Sequence, residues 1–164
     1  MPGRTNPIPQ GYHSVTPYIV VNDAARAIEF YKRAFGATEV MRMPGPAGKL
    51  AHVELELGDS LIMLSDEMPN NVVRSPQTVG GTTVGVFLYV EDVDKVFQQA
   101  KSAGAKEETP VADMFWGDRY GTLSDPFGHT WSLATHIEDV APEEMAKRAQ
   151  AARAEFEQHA RTAR

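Results

Sequence analysis

Two stretches of the chain repeat the same order of apolar and polar positions. Val15–Val21 is an apolar-rich run that ends at Asn22-Asp23, and Val84–Val90 is another that ends at Glu91-Asp92. Beyond each end, large apolar residues recur with helical spacing: Ala24, Ala27, Ile28, Tyr31 and Phe35 in the first copy, Val93, Val96, Phe97 and Ala100 in the second. Asp23 and Asp92 are suited to cap the free amides of a first helical turn, and Gly36 and Gly104 to take the left-handed conformation after a last one. The two copies align with an offset of 92 − 23 = 69 positions. Strand-type sequence follows each helix. Leu50–Leu57 alternates, with Ala51, Val53, Leu55 and Leu57 on one face and His52, Glu54 and Glu56 on the other. Gly58-Asp59 signals a hairpin into Leu61–Ser65, and Asp125-Pro126-Phe127-Gly128 signals a turn between Tyr120–Ser124 and Thr130–Thr135. Each half therefore reads β-α-β-β-β, and the fold class is α+β, with modules at about 13–66 and 84–137.

The segments outside the modules differ in character. Asp66–Thr83, with Pro69, Asn70, Asn71, Pro76, Gly80 and Gly81, is expected to be an ordered loop or linker. Residues 141–164 contain eight Ala, with Met145 and Phe156 as the only large apolar side chains. Pro142 suits the first position of a helix and Glu143 and Glu144 suit its positive end, so a C-terminal helix lying on a surface or fraying is expected. The division is a body over 1–140 and an added helix over 141–164.

Charge and composition narrow the partners. The chain of 164 residues carries 16 Lys+Arg and 22 Asp+Glu, a net charge of −6, and the helix holds five basic and four acidic residues, leaving 11 − 18 = −7 on the body. Such a body disfavours nucleic acid, which is held by clustered Lys/Arg, and favours a cationic small molecule. The longest apolar run, Val84–Val90, is too short to span a bilayer, so no membrane partner is expected. The start Met1-Pro2-Gly3-Arg4 is polar with no apolar signal core, which points to the cytoplasm. With no Cys there is no disulfide, thiolate zinc site or Cys nucleophile. Hydrolase, zincin and phosphate-loop motifs are absent; Gly45-Pro46-Ala47-Gly48-Lys49 lacks the Ser/Thr and the spacing of a nucleotide loop.

Four stretches, VVNDAARAIEFYKRAFG at Val20–Gly36, GDSLIML at Gly58–Leu64, YVEDVD at Tyr89–Asp94 and DPFGHTW at Asp125–Trp131, resemble the vicinal oxygen chelate superfamily. That superfamily includes glyoxalase I, bleomycin-resistance proteins and extradiol dioxygenases, and the likeness is to its short bacterial PhnB-like branch. It covers roughly residues 13–137. The resemblance implies two βαβββ modules forming a cupped eight-stranded mixed sheet, with helices outside, the ligand in the cup and a homodimeric assembly. In glyoxalase-type members four side chains hold a divalent metal; the matching positions here are Thr16, Met63, Gly85 and Ser132. Gly85 offers no donor and Met63 suits only soft metals, so no metal and no cofactor is expected, and glyoxalase I activity is disfavoured.

Several residues remain as site candidates. His52 and Glu54 share a strand face, where they can serve as acid and base or form part of a solvated stripe. Tyr18 shares the face of Thr16, and Phe87 and Tyr89 that of Gly85; with Met63 and Ser132 they either line the cup or fill a closed core. Asp113–Tyr120 sets Phe115 and Trp116 on a loop, where Trp116 stacks on a ligand or caps the core, and Arg119 pairs with a ligand carboxylate or a neighbouring acid. His129 and His136, seven apart, fall on opposite faces of a strand, with His129 expected as a turn or surface residue; His13, ahead of the first strand, is treated likewise. The function that follows is metal-independent binding of a small molecule of the bleomycin-resistance type. The alternatives are a lyase, isomerase or dioxygenase-like enzyme of the same superfamily built on His52 and Glu54 or on an unconventional metal site, and a module serving a protein partner.

Overall fold

In a computed structural model that describes residues 5–69 and 72–162, eight strands form two four-stranded mixed sheets. The elements run β1 (Tyr18–Val21), α1 (Ala24–Phe35), β2 (Thr38–Pro44), β3 (Leu50–Leu57), β4 (Ser60–Asp66), a one-turn α2 (Pro76–Val79), β5 (Gly85–Tyr89), α3 (Val93–Ala103), β6 (Lys106–Asp113), β7 (Asp118–Ser124), β8 (Thr130–His136) and α4 (Pro142–Thr162). The sheet orders are β1-β4-β3-β2 and β5-β8-β7-β6, with β1 parallel to β4 and β5 parallel to β8. Met1–Arg4, Asn70, Asn71, Ala163 and Arg164 lie outside the described residues.

The helix boundaries follow local chemistry. The Asp23 carboxylate accepts from the Arg26 amide (3.1 Å) and that of Asp92 from Lys95 (3.0 Å), while Gly36 (φ 70°) and Gly104 (φ 119°) close the helices in the left-handed region. A second cap comes from the end of a distant strand. Asp66 accepts from the amides of Ala24 (2.9 Å) and Leu50 (2.7 Å), and at the equivalent place Thr135 accepts from Val93 (2.9 Å). The offset is again 69, from 66 to 135 and from 24 to 93.

One face of each sheet packs under its helix. Ile19, Val21, Val53, Leu55, Ile62 and Leu64 meet α1, and Leu123, Trp131 and Leu133 continue the core toward α3. The modules join through this helix side. Tyr31 of α1 donates its hydroxyl to the buried Asp125 (2.7 Å), Gln99 of α3 donates to the carbonyls of Arg33 (2.9 Å) and Ala34 (3.2 Å), and His129 reaches the Val20 carbonyl (3.0 Å). His129 is thus in the turn, as expected, but buried rather than on the surface. Its Nε2–H joins the second module to β1.

The first strand begins at Tyr18, three residues later than the apolar run implies. Pro17 has no amide to give, although its carbonyl still accepts from Met63 (2.9 Å). Thr16 therefore precedes the strand. At the other end of the domain, β7 starts at Asp118, inside the stretch expected as loop. The helix α4 forms through Thr162 and is tied down near its start, where Arg148 makes a bidentate pair with Glu138 (2.8 and 2.8 Å). Phe156 is exposed, in line with a surface helix.

Candidate ligand-binding site

The sheet faces turned away from α1 and α3 carry the candidate residues. Register places Tyr18 opposite Met63 and Met63 opposite Glu54 on the first sheet, and Phe87 opposite Ser132 and Ser132 opposite Thr122 on the second. The pairs Tyr18–Met63 and Phe87–Ser132 are related by 87 − 18 = 132 − 63 = 69, so the two rows are equivalent positions of the repeat.

On the first sheet four polar side chains form a line. His52 Nε2–H donates to Glu54 Oε1 (3.2 Å), which leaves Nδ1 to accept from the Tyr18 hydroxyl (3.4 Å). The Tyr12 hydroxyl donates to Glu54 from the other side and, with His52, holds that carboxyl below its usual value against the opposing effect of burial. Tyr12 itself is pushed up to about 12, first by burial and then by the Glu54 hydrogen bond and charge. His52 and Glu54 are mostly covered, with side chains 20% and 15% exposed, while Glu56, next along the stripe, is exposed.

The second sheet presents an aromatic floor. Phe87 lies 4.9 Å from Tyr89 and 5.8 Å from Tyr120, centroid to centroid, and Trp116 meets Tyr120 at 5.7 Å with an edge-to-face tilt of 69°. Phe87 and Tyr89 are 49% and 60% exposed, so they do not fill a closed core. Beneath them the buried Asp118 accepts from the Tyr89 hydroxyl (3.0 Å), Trp116 Nε1–H (3.0 Å) and His136 Nδ1–H (2.8 Å). Burial acts to raise the Asp118 carboxyl, but the three donors outweigh it and the group is lowered. His136, held between Asp118 and Asp139 (3.0 Å), is raised above its ordinary 6.5, chiefly by the Asp118 bond. Ser132 shares a hydrogen bond with the Tyr120 hydroxyl (3.1 Å).

The loop carrying Trp116 is fixed by Gly117. Its φ of 97° is left-handed, its carbonyl accepts from the amides of Ile137 (2.9 Å) and Glu138 (3.0 Å), and a Cβ there would collide with the Glu138 carbonyl. Arg119 points the other way. It sits on the opposite face of β7 from Asp118 and Tyr120, where Asp94 of α3 (2.6 and 2.8 Å) and Asp113 (2.8 Å) take its guanidinium. The neighbouring acids foreseen as partners for it are there.

A cavity of about 550 Å³ opens between β5, the segment just ahead of β1 and the β3–β4 hairpin. Thr16, Leu61, Phe87 and Tyr89 line it, together with His13 and Asp59. Its volume is in the range of drug-sized ligand sites, ~300–1,000 Å³. Sequence inspection missed Tyr12, Asp118 and Tyr120. Asp118 and Tyr120 share a face at a spacing of two and become visible once β7 is begun at Asp118, whereas no local signal marks Tyr12.

The metal positions of glyoxalase-type relatives do not fit an ion here. Gly85 has no side chain, Met63 supplies only a thioether, and Thr16 and Ser132 supply neutral hydroxyls. Among the described residues no three His, Cys, Asp or Glu cluster in a way that would hold a metal. No helix among them is long and apolar enough to cross a membrane.

Comparison with known proteins agrees with the architecture. A family model for the glyoxalase/bleomycin resistance protein/dioxygenase superfamily matches residues 11–133. An uncharacterised protein of Mycobacterium tuberculosis is 45% identical over 135 residues, 80% of this chain and 79% of that protein. The crystal structure of TioX from Micromonospora sp. ML1 matches at TM-score 0.61 and 28% identity, covering 76% of this chain and 99% of that one. The fosfomycin resistance protein FosX of Listeria monocytogenes matches at TM-score 0.59 and 16% identity, over 81% of this chain and 97% of that one, a likeness of fold alone. Two βαβββ modules related by a constant offset, and a family match that spans both, show that this chain belongs to the glyoxalase/bleomycin resistance protein/dioxygenase superfamily.

Proposed function

We propose that the protein binds a bulky, partly aromatic small molecule without a metal ion, with a cation preferred, and sequesters or carries it. The observation that carries this is the aromatic floor of exposed Phe87 and Tyr89 and half-buried Tyr120 and Trp116, two of whose rings hydrogen-bond the buried Asp118 carboxylate. Exposed rings of this kind gain from being covered by a planar ligand, and an anion bonded behind them strengthens their attraction for positive charge. The acidic body, −7 outside the C-terminal helix, acts in the same direction at longer range. Thr16, Tyr18, Met63 and Ser132 supply hydroxyls and a thioether around the same two faces, which suits contact with a large molecule better than polarising a small carbonyl.

Calorimetry with 9-aminoacridine, a cation at neutral pH, and with the neutral acridine tests the reading. Stronger binding of the cation and a roughly tenfold weakening in Trp116→Ala, about 1.4 kcal/mol, are expected. Equal binding of both probes by wild type and Trp116→Ala would remove the role given to the floor. Stoichiometric Mn, Fe, Ni or Zn in the purified protein, retained through gel filtration, would remove the metal-free part.

The direct His52–Glu54 hydrogen bond supports a second reading, in which this pair serves as acid and base in a superfamily enzyme. Loss of turnover in His52→Ala and Glu54→Ala, with affinity for the same compound unchanged, would favour it. The exposed apolar side chains Val15, Val79 and Val84 support a homodimer, for which light scattering should return twice the mass of 18.0 kDa.

A further inference from the structure

Residues 7–14, an N-terminal lead, lie against the face of the first sheet turned away from α1, at Glu54 and Met63. Pro7, Ile8, Pro9 and Tyr12 surround, with Glu54 and Met63, a space of about 520 Å³. The lead turns on itself where the Tyr12 amide donates to the Pro9 carbonyl (3.1 Å), and Gly11, at φ 84°, allows the reversal that points Tyr12 back at the sheet. The Tyr12 hydroxyl then completes the line Tyr12–Glu54–His52–Tyr18. Along the lead, Asn6–Gly11 are exposed.

We propose that residues 7–14 form a built-in strap over Glu54, the partner of His52, and that it is displaced when a small molecule takes the face of the first sheet turned away from α1. Three features support a releasable strap rather than a fixed part of the core. Two prolines within three residues, Pro7 and Pro9, stiffen the lead and lower the entropy lost when it docks. Its polar attachment to the sheet is a phenol bonded to a carboxylate, which holds the segment through its tip. The surface it covers is already paired beneath: with the strap away, Glu54 keeps His52 and His52 keeps Tyr18, so no buried charge is orphaned on opening. The strap requires neither the aromatic-floor reading nor any particular ligand.

Acylation of histidines by diethyl pyrocarbonate, followed peptide by peptide with mass spectrometry, tests it in the full chain. Tyr12→Phe removes the bond and keeps the ring; deletion of residues 2–12 removes most of the strap. His52 is expected to react several-fold faster in both variants than in wild type, while His129, buried at the module junction, stays protected in all three. Equal His52 rates in the three proteins would overturn the proposal. If a variant loses its fold, His129 becomes reactive and the decision passes to wild type. There, slowed hydrogen exchange at the Tyr12 amide supports the strap, and exchange at the rate of an unstructured peptide overturns it.

Discussion

Tyr31→Phe is the most direct test of how the two modules are held together. The Tyr31 hydroxyl donates to Asp125 Oδ2 at 2.7 Å, and both residues are buried. Asp125 is otherwise satisfied within its own module: Trp131 Nε1–H donates to the same oxygen (2.9 Å), and the amides of Phe127 and His129 donate to Oδ1 (2.9 and 2.9 Å). Burial, and the charge of Asp125 next, push the Tyr31 hydroxyl well above its ordinary value, so it remains a donor. The substitution deletes one hydrogen bond to a buried carboxylate and keeps the ring against Phe35, Phe127 and Trp131. A bond to a charged group contributes ~1.5–3 kcal/mol. At ~2–4 °C per kcal/mol for a chain of this size, the melting temperature should fall by ~3–12 °C. Asp125→Asn should cost more than Tyr31→Phe, since Tyr31 and Trp131 aim donors at one oxygen and two amides at the other, and the new amide nitrogen must face one of these sets. Urea unfolding followed by tryptophan fluorescence measures both, with the slope in urea unchanged if only stability moves. A Tyr31→Phe midpoint equivalent to less than about 0.5 kcal/mol of lost stability would refute the claim that this contact joins the modules.

Three other outcomes are expected. Gly117→Ala should destabilise the fold by ~1–3 kcal/mol, because the left-handed backbone is disfavoured for Ala and its Cβ meets the Glu138 carbonyl; a red shift in Trp116 emission reports the loosened loop. Glu39, held by Arg42 first and also by Lys32, is lowered from 4.5 to about 2, so its stabilising effect is present above pH 4.5 and is lost as pH falls through about 2. Unfolding curves at pH 6 and pH 3 should show a smaller acid loss for Glu39→Gln than for wild type. His136 is raised above 6.5, so its contribution is complete below that pH and disappears as pH rises through the higher folded value; the difference in stability between wild type and His136→Ala should shrink from pH 6 to pH 9. A constant difference across that range would show that His136 stays in one protonation state.

The elements legible in the sequence are those whose cause is local. The caps at Asp23 and Asp92, the terminating Gly36 and Gly104, and Leu50–Leu57 all depend on neighbours within a few positions, and all are found in the structure. Strand β1 was overextended because an apolar run does not reveal that Pro17 lacks a ladder donor and that pairing with β4 begins only at Tyr18. Arg119 was ambiguous for a related reason: alternation places it on one face of β7, but only the packing of α3 brings Asp94 there to meet it.

The amino-acid sequence by itself determined the repeat, its offset of 69 and most of the secondary structure within each module. Periodicity and capping are properties of single residues or close neighbours, and a sequence displays them directly. Tertiary structure decided which side chains meet: Tyr31 with Asp125, Tyr12 with Glu54, and Tyr89, Trp116 and His136 on one buried carboxylate. These contacts join residues separated by as many as 94 positions, and hydrogen bonds act only within about 3 Å, so each exists only after the sheets and helices have packed.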